Sequence, residues 1–558
     1  MPSFSKRQTL AAINEKKQRI NKINYMKKIK FYCKTIFICI SLFFGKYCNA
    51  QSVFQKDYTG INFNIGYSIQ TDNSGFVIAG ATSSSGQGGK DVLLMKTDLN
   101  GNILWAKTIG GNGDDVAHCL KKTSDGGYII VGSTSSYVYA PIDSSNFYII
   151  KTDNSGNVQW TRSIGSFNTE VANDVIETSD HKFAIVGYTR SIGPGNADVY
   201  FMELDSIGNL QWAYGMGGVG NDFGNSLTQT NTNKFIIVGS TTGFSAVGQI
   251  PYLINTSELG VVQNSYTFNL NTSYNIQKRY FTKIIEGYFN DYMITGSVGI
   301  GTIGDAQHFI LDIGQNTVIN WMKKYTLNSG EGVGTSLEKT LDNGFIIGGT
   351  MGLDHPALIK IDAIGQLITT KFFPNTSSSY HGKGLDVKST NDGGFALVGF
   401  RYNASDTSVY LIKTDNNLSS GCDESNGFIN TATNMSPIAN VQTTTYATGS
   451  NYIAIDSGIV LTAFPYMNVI CFTTGIDQNS IIEKTLKIQQ SAFSVNFLLT
   501  DNNDMIVKID IYNVIGEKMK SNGVNNQYIS TIEFSKGIYF YQLLTKNNVT
   551  YSGKINIQ

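Results

Sequence analysis

Asp114 and Asp115, Glu170, Asp222, Glu331 and His381 each stand just before an apolar stretch of the chain, at a recurring interval. Carboxylates repeated in one register, with a histidine at the last, could hold a cation such as Ca2+ or bind the hydroxyls of a glycan. These six are the candidate binding residues. The competing reading is that each caps backbone amides where the chain turns a corner. No residue is assigned a catalytic role and no metal site is assigned. His118, His181, His308, His355 and His381 are isolated, without H-E-x-x-H or His/Cys ligand spacing. No G-x-S-x-G elbow occurs. Gly299-Ile-Gly-Thr-Ile-Gly304 fits G-x-G-x-x-G and follows a strand pattern, but no helix pattern follows it, so the dinucleotide reading fails. No cofactor is implied beyond possible Ca2+. Two carboxylates for glycoside hydrolysis can come from distant segments, which keeps a polysaccharide-active hydrolase or lyase as an alternative.

The elements that must position these residues are repeats. TSDGGYIIVG (123–132) returns as TDNSGFVIAG (71–80), TSDHKFAIVG (178–187), TNTNKFIIVG (230–239), GYFNDYMITG (287–296), TLDNGFIIGG (340–349) and TNDGGFALVG (390–399). The closing glycines are spaced by 52, 55, 52, 57, 53 and 50 residues. Such a period marks a propeller or solenoid. Within a copy, four runs rich in Ile, Val, Tyr and Thr are parted by Gly/Asn/Asp clusters, which predicts four strands. The second run is apolar almost throughout, as a strand buried on both faces must be. Blades of this kind cover one another's faces only when they stack. Trp105, Trp160, Trp212 and Trp321 share one register and are assigned to packing between repeats.

The seventh copy (381–417) lacks a fourth strand, and SVFQKDYTG (52–60) resembles the missing piece. The N-terminal strand is therefore expected to complete blade seven and close the ring. The fold class is all-β: a seven-bladed β-propeller over 51–420, a small β extension and linker over 421–475, and an Ig-like β-sandwich over 476–558. The loops between second and third strands are long and irregular (83–90, 135–146, 190–196, 243–251), whereas the opposite turns are short. Varied loops on a rigid scaffold are where binding resides.

Residues 1–50 hold eleven Lys or Arg and one Glu, so 31 basic residues face 41 acidic ones over the remainder, a net −10. That balance argues against nucleic acid as a partner. From Met26, a basic start, a short apolar run (36–44) and Ala50 read as a signal peptide, with residues 1–25 as an over-extended start. No transmembrane span is expected in the mature chain. Outside 1–50 the cysteines are Cys119, Cys422 and Cys471. In an exported chain the last two are expected to pair, closing segment 422–471, and Cys119 to be buried.

The C-terminal segment alternates through IDIYNVIGEKM, SKGIYFYQLL and a final KINIQ. This order resembles the type A C-terminal sorting domain of the type IX secretion system of Bacteroidota. Ile488-Gln-Gln-Ser491 stands where such domains often begin with Pro-Asn-Pro. The resemblance implies the type IX machinery as a partner, and a secreted, extracellular or outer-surface location. The repeats resemble bacterial propeller repeats of the form DGGYIIVGST, which imply a fold and no chemistry. The expected function is non-enzymatic adhesion or recognition of a glycan or protein through the long-loop face. A structural surface component is the further alternative.

Overall fold

The computed structural model describes residues 52–422 apart from 61, 139–143, 246–247, 270–277, 300–306, 328–330, 353, 375–380 and 405, and from 424 onward the strands named below. The signal-peptide reading of 1–50 and the linker at 474–480 lie outside the described residues, as does nearly all of 299–304.

Seven antiparallel sheets follow one another along the chain, one per repeat. Blade two shows the pattern: Asp115–Lys122 innermost, then Tyr128–Thr134, Asn146–Thr152 and Val158–Gly165 outward. Neighbouring blades share cores. Val131 and Ile149 of blade two pack in one cluster with Ile185, Tyr200 and Met202 of blade three. The ring closes because Phe54, Val398 and Val409 of blade seven share a cluster with Ile69 and Phe76 of blade one. The protein is a closed seven-bladed β-propeller. Val53–Thr59 lies beside Thr407–Thr414 and supplies the strand that copy seven lacks.

The closing glycine of every repeat has a steric cause. Each inner strand carries a β-bulge opposite that glycine, and the bulge turns a backbone carbonyl inward. A Cβ on Gly132 would lie 1.8 Å from Val116 O, and one on Gly239 1.8 Å from Phe223 O. Only glycine fits there.

The segment expected to form a small β extension over 421–475 is not a unit of its own. It contributes a fifth strand to every blade. Ser425–Asn426 pairs with blade six, Ile429–Asn434 with five, Ile438–Gln442 with four, Thr445–Thr448 with three, Ile453–Ile455 with two, Ile459–Thr462 with one and Tyr466–Thr473 with seven. The chain thus runs once round the outside of the ring, against the order in which the blades were built. An outermost strand otherwise presents unpaired N–H and C=O groups, a template for unwanted pairing. The belt satisfies seven such edges with one segment. Cys422 at its start is disulfide-bonded, and Cys471 sits near its end opposite Gln55.

Beyond the belt, Leu486–Gln490, Ser494–Leu499 and Tyr528–Ser530 form one sheet. Lys518–Gly523, Ile506–Tyr512, Gly537–Thr545 and Thr550–Ile557 form another. Ile509 and Ile511 are buried. Among the described residues no helix is long and apolar enough to cross a membrane.

Candidate functional site

The structure places the candidate acids inside the corners between blades. Asp115, Glu170 and Asp222 are each 0% exposed. Asp115 Oδ2 accepts from Gly111 N at 2.7 Å and Ser136 Oγ at 2.5 Å. Glu170 accepts from Ser166 N at 2.9 Å, Thr189 Oγ1 at 2.9 Å and Ser191 Oγ at 2.5 Å. Asp222 Oδ2 accepts from Gly218 N at 2.8 Å. Each acid is bonded within its own corner, tying the interblade loop to the loop between strands two and three. Asp114 is exposed and accepts from Lys90 N at 2.9 Å. His381 is exposed and tilts against Tyr402, ring centroids 5.5 Å apart. Glu331 starts the inner strand of blade six, and its side chain lies outside the described residues. Among the described residues no three His, Cys, Asp or Glu side chains converge as a metal site.

Each corner acid has a companion that sequence reading missed. Asp91 and Asp115 flank Gly110, where a Cβ would meet their oxygens at 2.2 and 2.6 Å. Asp198 and Asp222 flank Gly217 in the same way, at 2.4 and 2.3 Å. In the corner between them the companion is Asn146, facing Glu170 across Gly165. Burial, and then the neighbouring carboxylate, push Asp91 up to about 7. Burial likewise pushes Asp198 up to about 7, with Asp222 adding to it. An amide at the equivalent place is the neutral isostere of a protonated acid, which explains how Asn146 can substitute.

The tryptophans pack between blades. A Cβ on Gly156, in the turn of blade two, would come within 2.6 Å of Trp105 from blade one, and Gly208, Gly260 and Gly365 meet Trp160, Trp212 and Trp321 likewise. Arg162, its guanidinium 5.4 Å from the Trp160 ring, donates to Gly208 O at 3.0 Å.

The axis holds the chemistry. A cavity of about 300 Å³ runs among the inner strands, lined by residues from all seven blades. The bulges set two rings of side chains there. His118, Asn173, Asn225, Thr282 and Thr335 each reach a carbonyl of the next blade, at 3.0, 2.8, 2.7, 2.7 and 3.1 Å. The adjoining ring is Ser68, Cys119, Asp174, Ser226, Lys283, Ser336 and Asp386. Asp174 Oδ2 accepts from Lys283 Nζ at 2.7 Å and Ser226 Oγ at 2.6 Å, while Cys119 Sγ lies 3.1 Å from Oδ1. Asp386 accepts from Ser68 Oγ at 2.9 Å, Ile69 N at 3.0 Å and Ser336 Oγ at 2.6 Å. Burial opposes ionisation of Asp174, yet the ammonium groups of Lys283 and Lys121 hold its carboxyl well below the usual range. Burial, then Asp174, push the Cys119 thiol up to about 12, so it is inert. The ring had a signal in the sequence. From blade two onward its members lie thirteen residues before the closing glycine, and in blade one twelve. What hid it was its variety of residue types.

Fold and axis together define a closed propeller with a self-bonded polar centre, followed by a separate C-terminal segment. Residues 489–558 match the family described as the secretion system C-terminal sorting domain. The chain therefore carries the address of the type IX secretion machinery, which takes it to the cell surface or the extracellular space. Among solved structures, a protein of unknown function from Dyadobacter fermentans is similar at 9% identity and TM-score 0.36, covering 65% of this chain and 98% of that one. The exo-β-1,3-galactanase 1,3Gal43A from Clostridium thermocellum is similar at 11% identity and TM-score 0.26, covering 65% and 88%. Endo-1,5-α-L-arabinanase from Thermotoga petrophila gives 11% and 0.22, covering 65% and 100%. At these values the likenesses carry no argument about activity. No curated protein matches the chain.

Proposed function

We propose that this is a secreted or cell-surface binding protein, non-enzymatic, that recognises a glycan or protein through the long-loop face of its propeller. The observation that carries the reading is where the acids are spent. The general acid and nucleophile or base of a glycosidase must reach substrate. Here Asp174 and Asp386 are saturated by Lys283, serines and backbone amides. The two acids raised to about 7, Asp91 and Asp198, are only 2% and 1% exposed inside the corners. What the long-loop face does offer is variety, with the interblade loops exposing Phe167 at 60% and Val219 at 86%. Large apolar groups left in water at equivalent positions of adjacent corners suit a contact surface. The Ig-like sandwich expected for residues 476–558 belongs to the same reading, as the part that addresses the exporter.

A glycan array probed with the secreted chain, beside a reducing-end assay on the bound glycans, tests the proposal. Binding without release of reducing ends is the expected result. Release of reducing ends would replace it with the hydrolase alternative.

A further inference from the structure

The axial cavity contains one cation that the surrounding network leaves over. Two lysines line it, Lys121 from blade two and Lys283 from blade five, and Lys388 from blade seven lies close enough to act on Lys121. Lys283 donates to Asp174 at 2.7 Å. Lys388 donates to Glu338 at 2.6 Å and lies 3.9 Å from Asp386. Lys121 lines the cavity. Among the described residues its ammonium makes no hydrogen bond and no ion pair, although Lys283, Asp174 and Lys388 all act on it electrostatically. The nearby carboxylates cannot turn to it cheaply, because Asp174 and Asp386 already accept from serines and backbone amides that a rotation would strand.

We infer that the axial cavity is a binding site for a small oxyanion, a carboxylate or phosphate, with the Lys121 ammonium as its charge partner. Around that position the cavity offers the groups such an anion uses. Lys121 gives a point charge with three donors, Tyr67 lines the same cavity, and the amides of Asn173 and Asn225 each keep a second N–H beyond the one given to a carbonyl. The volume of about 300 Å³ admits an ion with a few waters or a small organic acid, and nothing polymeric. Burial, followed by the Lys283 ammonium, pulls Lys121 below its ordinary value, and an anion at its side would reverse that effect. This site is separate from the long-loop face, and its existence does not depend on what that face binds.

The test is titration calorimetry of the full secreted chain with acetate and, separately, inorganic phosphate, at fixed ionic strength and pH 7. Saturable heat is expected for at least one, and which one responds identifies the source chemistry. Lys121→Met should weaken it tenfold or more, Lys121→Arg should keep it, and Lys122→Met, altering the exposed neighbour on the same strand, should leave it unchanged. Should Lys121→Met fail to fold, 13C labelling of the lysine side chains reads the same question in the unaltered chain. The Lys121 Cε resonance should then move saturably with the anion. Absence of saturable binding, an unmoved Lys121 resonance, or equal binding in a folded Lys121→Met variant overturns the inference.

Discussion

Asp174 of blade three and Lys283 of blade five meet at 2.7 Å although blade four stands between them. Ser226 of blade four bonds the same carboxylate at 2.6 Å, so one buried acid ties three blades together. The inner strands converge on the axis, and this lets a long side chain reach past its immediate neighbour.

Removing one partner of that pair should be costly. Lys283→Met leaves the Asp174 charge buried with only neutral donors, and a stability loss of about 3 kcal/mol is expected in urea unfolding. The double variant Asp174→Asn/Lys283→Met should recover most of it, because no orphaned charge remains. A double variant as unstable as the single would mean that the pair itself, and not the stranded charge, carries the effect.

Gly156 has φ +72 and lies under the Trp105 indole, while Gly126 has φ +85 with nothing within 4 Å of a Cβ. Gly126→Ala should therefore cost only the left-handed backbone term, about 1 kcal/mol. Gly156→Ala adds displacement of the indole and should cost roughly 2–3 kcal/mol. Equal losses in the two variants would show that the indole gives way freely.

Asp91→Asn and Asp198→Asn should stabilise the protein at alkaline pH. In the folded state both acids titrate at about 7, above the 3.8 of the unfolded chain. As pH rises from 4 to 7 the unfolded chain releases these protons while the folded one retains them, so stability falls across that window and stays low above it. Beside Asp91 the charges are Asp115 and Asp114, and beside Asp198 the charge is Asp222. A gain of roughly 2 kcal/mol per site at pH 8, shrinking toward zero at pH 4, is the expected profile in urea unfolding. A gain independent of pH would place the cause elsewhere.

Cys422 is expected to pair with Cys471, which would fasten the start of the belt to its end. Cys119 is free and buried, and Gln55, opposite Cys471 in the sheet, donates to Ser420 at 2.9 Å, two residues from Cys422. Peptide mapping without reductant should recover one cross-linked pair joining residues 422 and 471. Cys471→Ser should lower stability by about 2–4 kcal/mol. Recovery of Cys471 as a free thiol would remove the clasp and leave the belt held by strand pairing alone.

Much of this architecture is written locally and could be read without coordinates. The closing glycines and the tryptophan register repeat because each blade solves the same packing problem against the next, so one copy explains the others. The missing strand of copy seven pointed to ring closure for the same reason. The corner acids were visible, but their companions Asp91 and Asp198 were not, since each lies on another strand some two dozen residues away.

The axis and the belt were decided only in three dimensions. Ser68, Cys119, Asp174, Ser226, Lys283, Ser336 and Asp386 are of four different residue types, and their bonds join residues up to 318 positions apart. A ring built from one residue per blade acquires its charge pattern only when all seven close. The belt strands, between two and eight residues long, carry no repeat of their own. They become strands because seven finished blades present them with unpaired edges, and that hydrogen-bonding demand exists only once the propeller has formed.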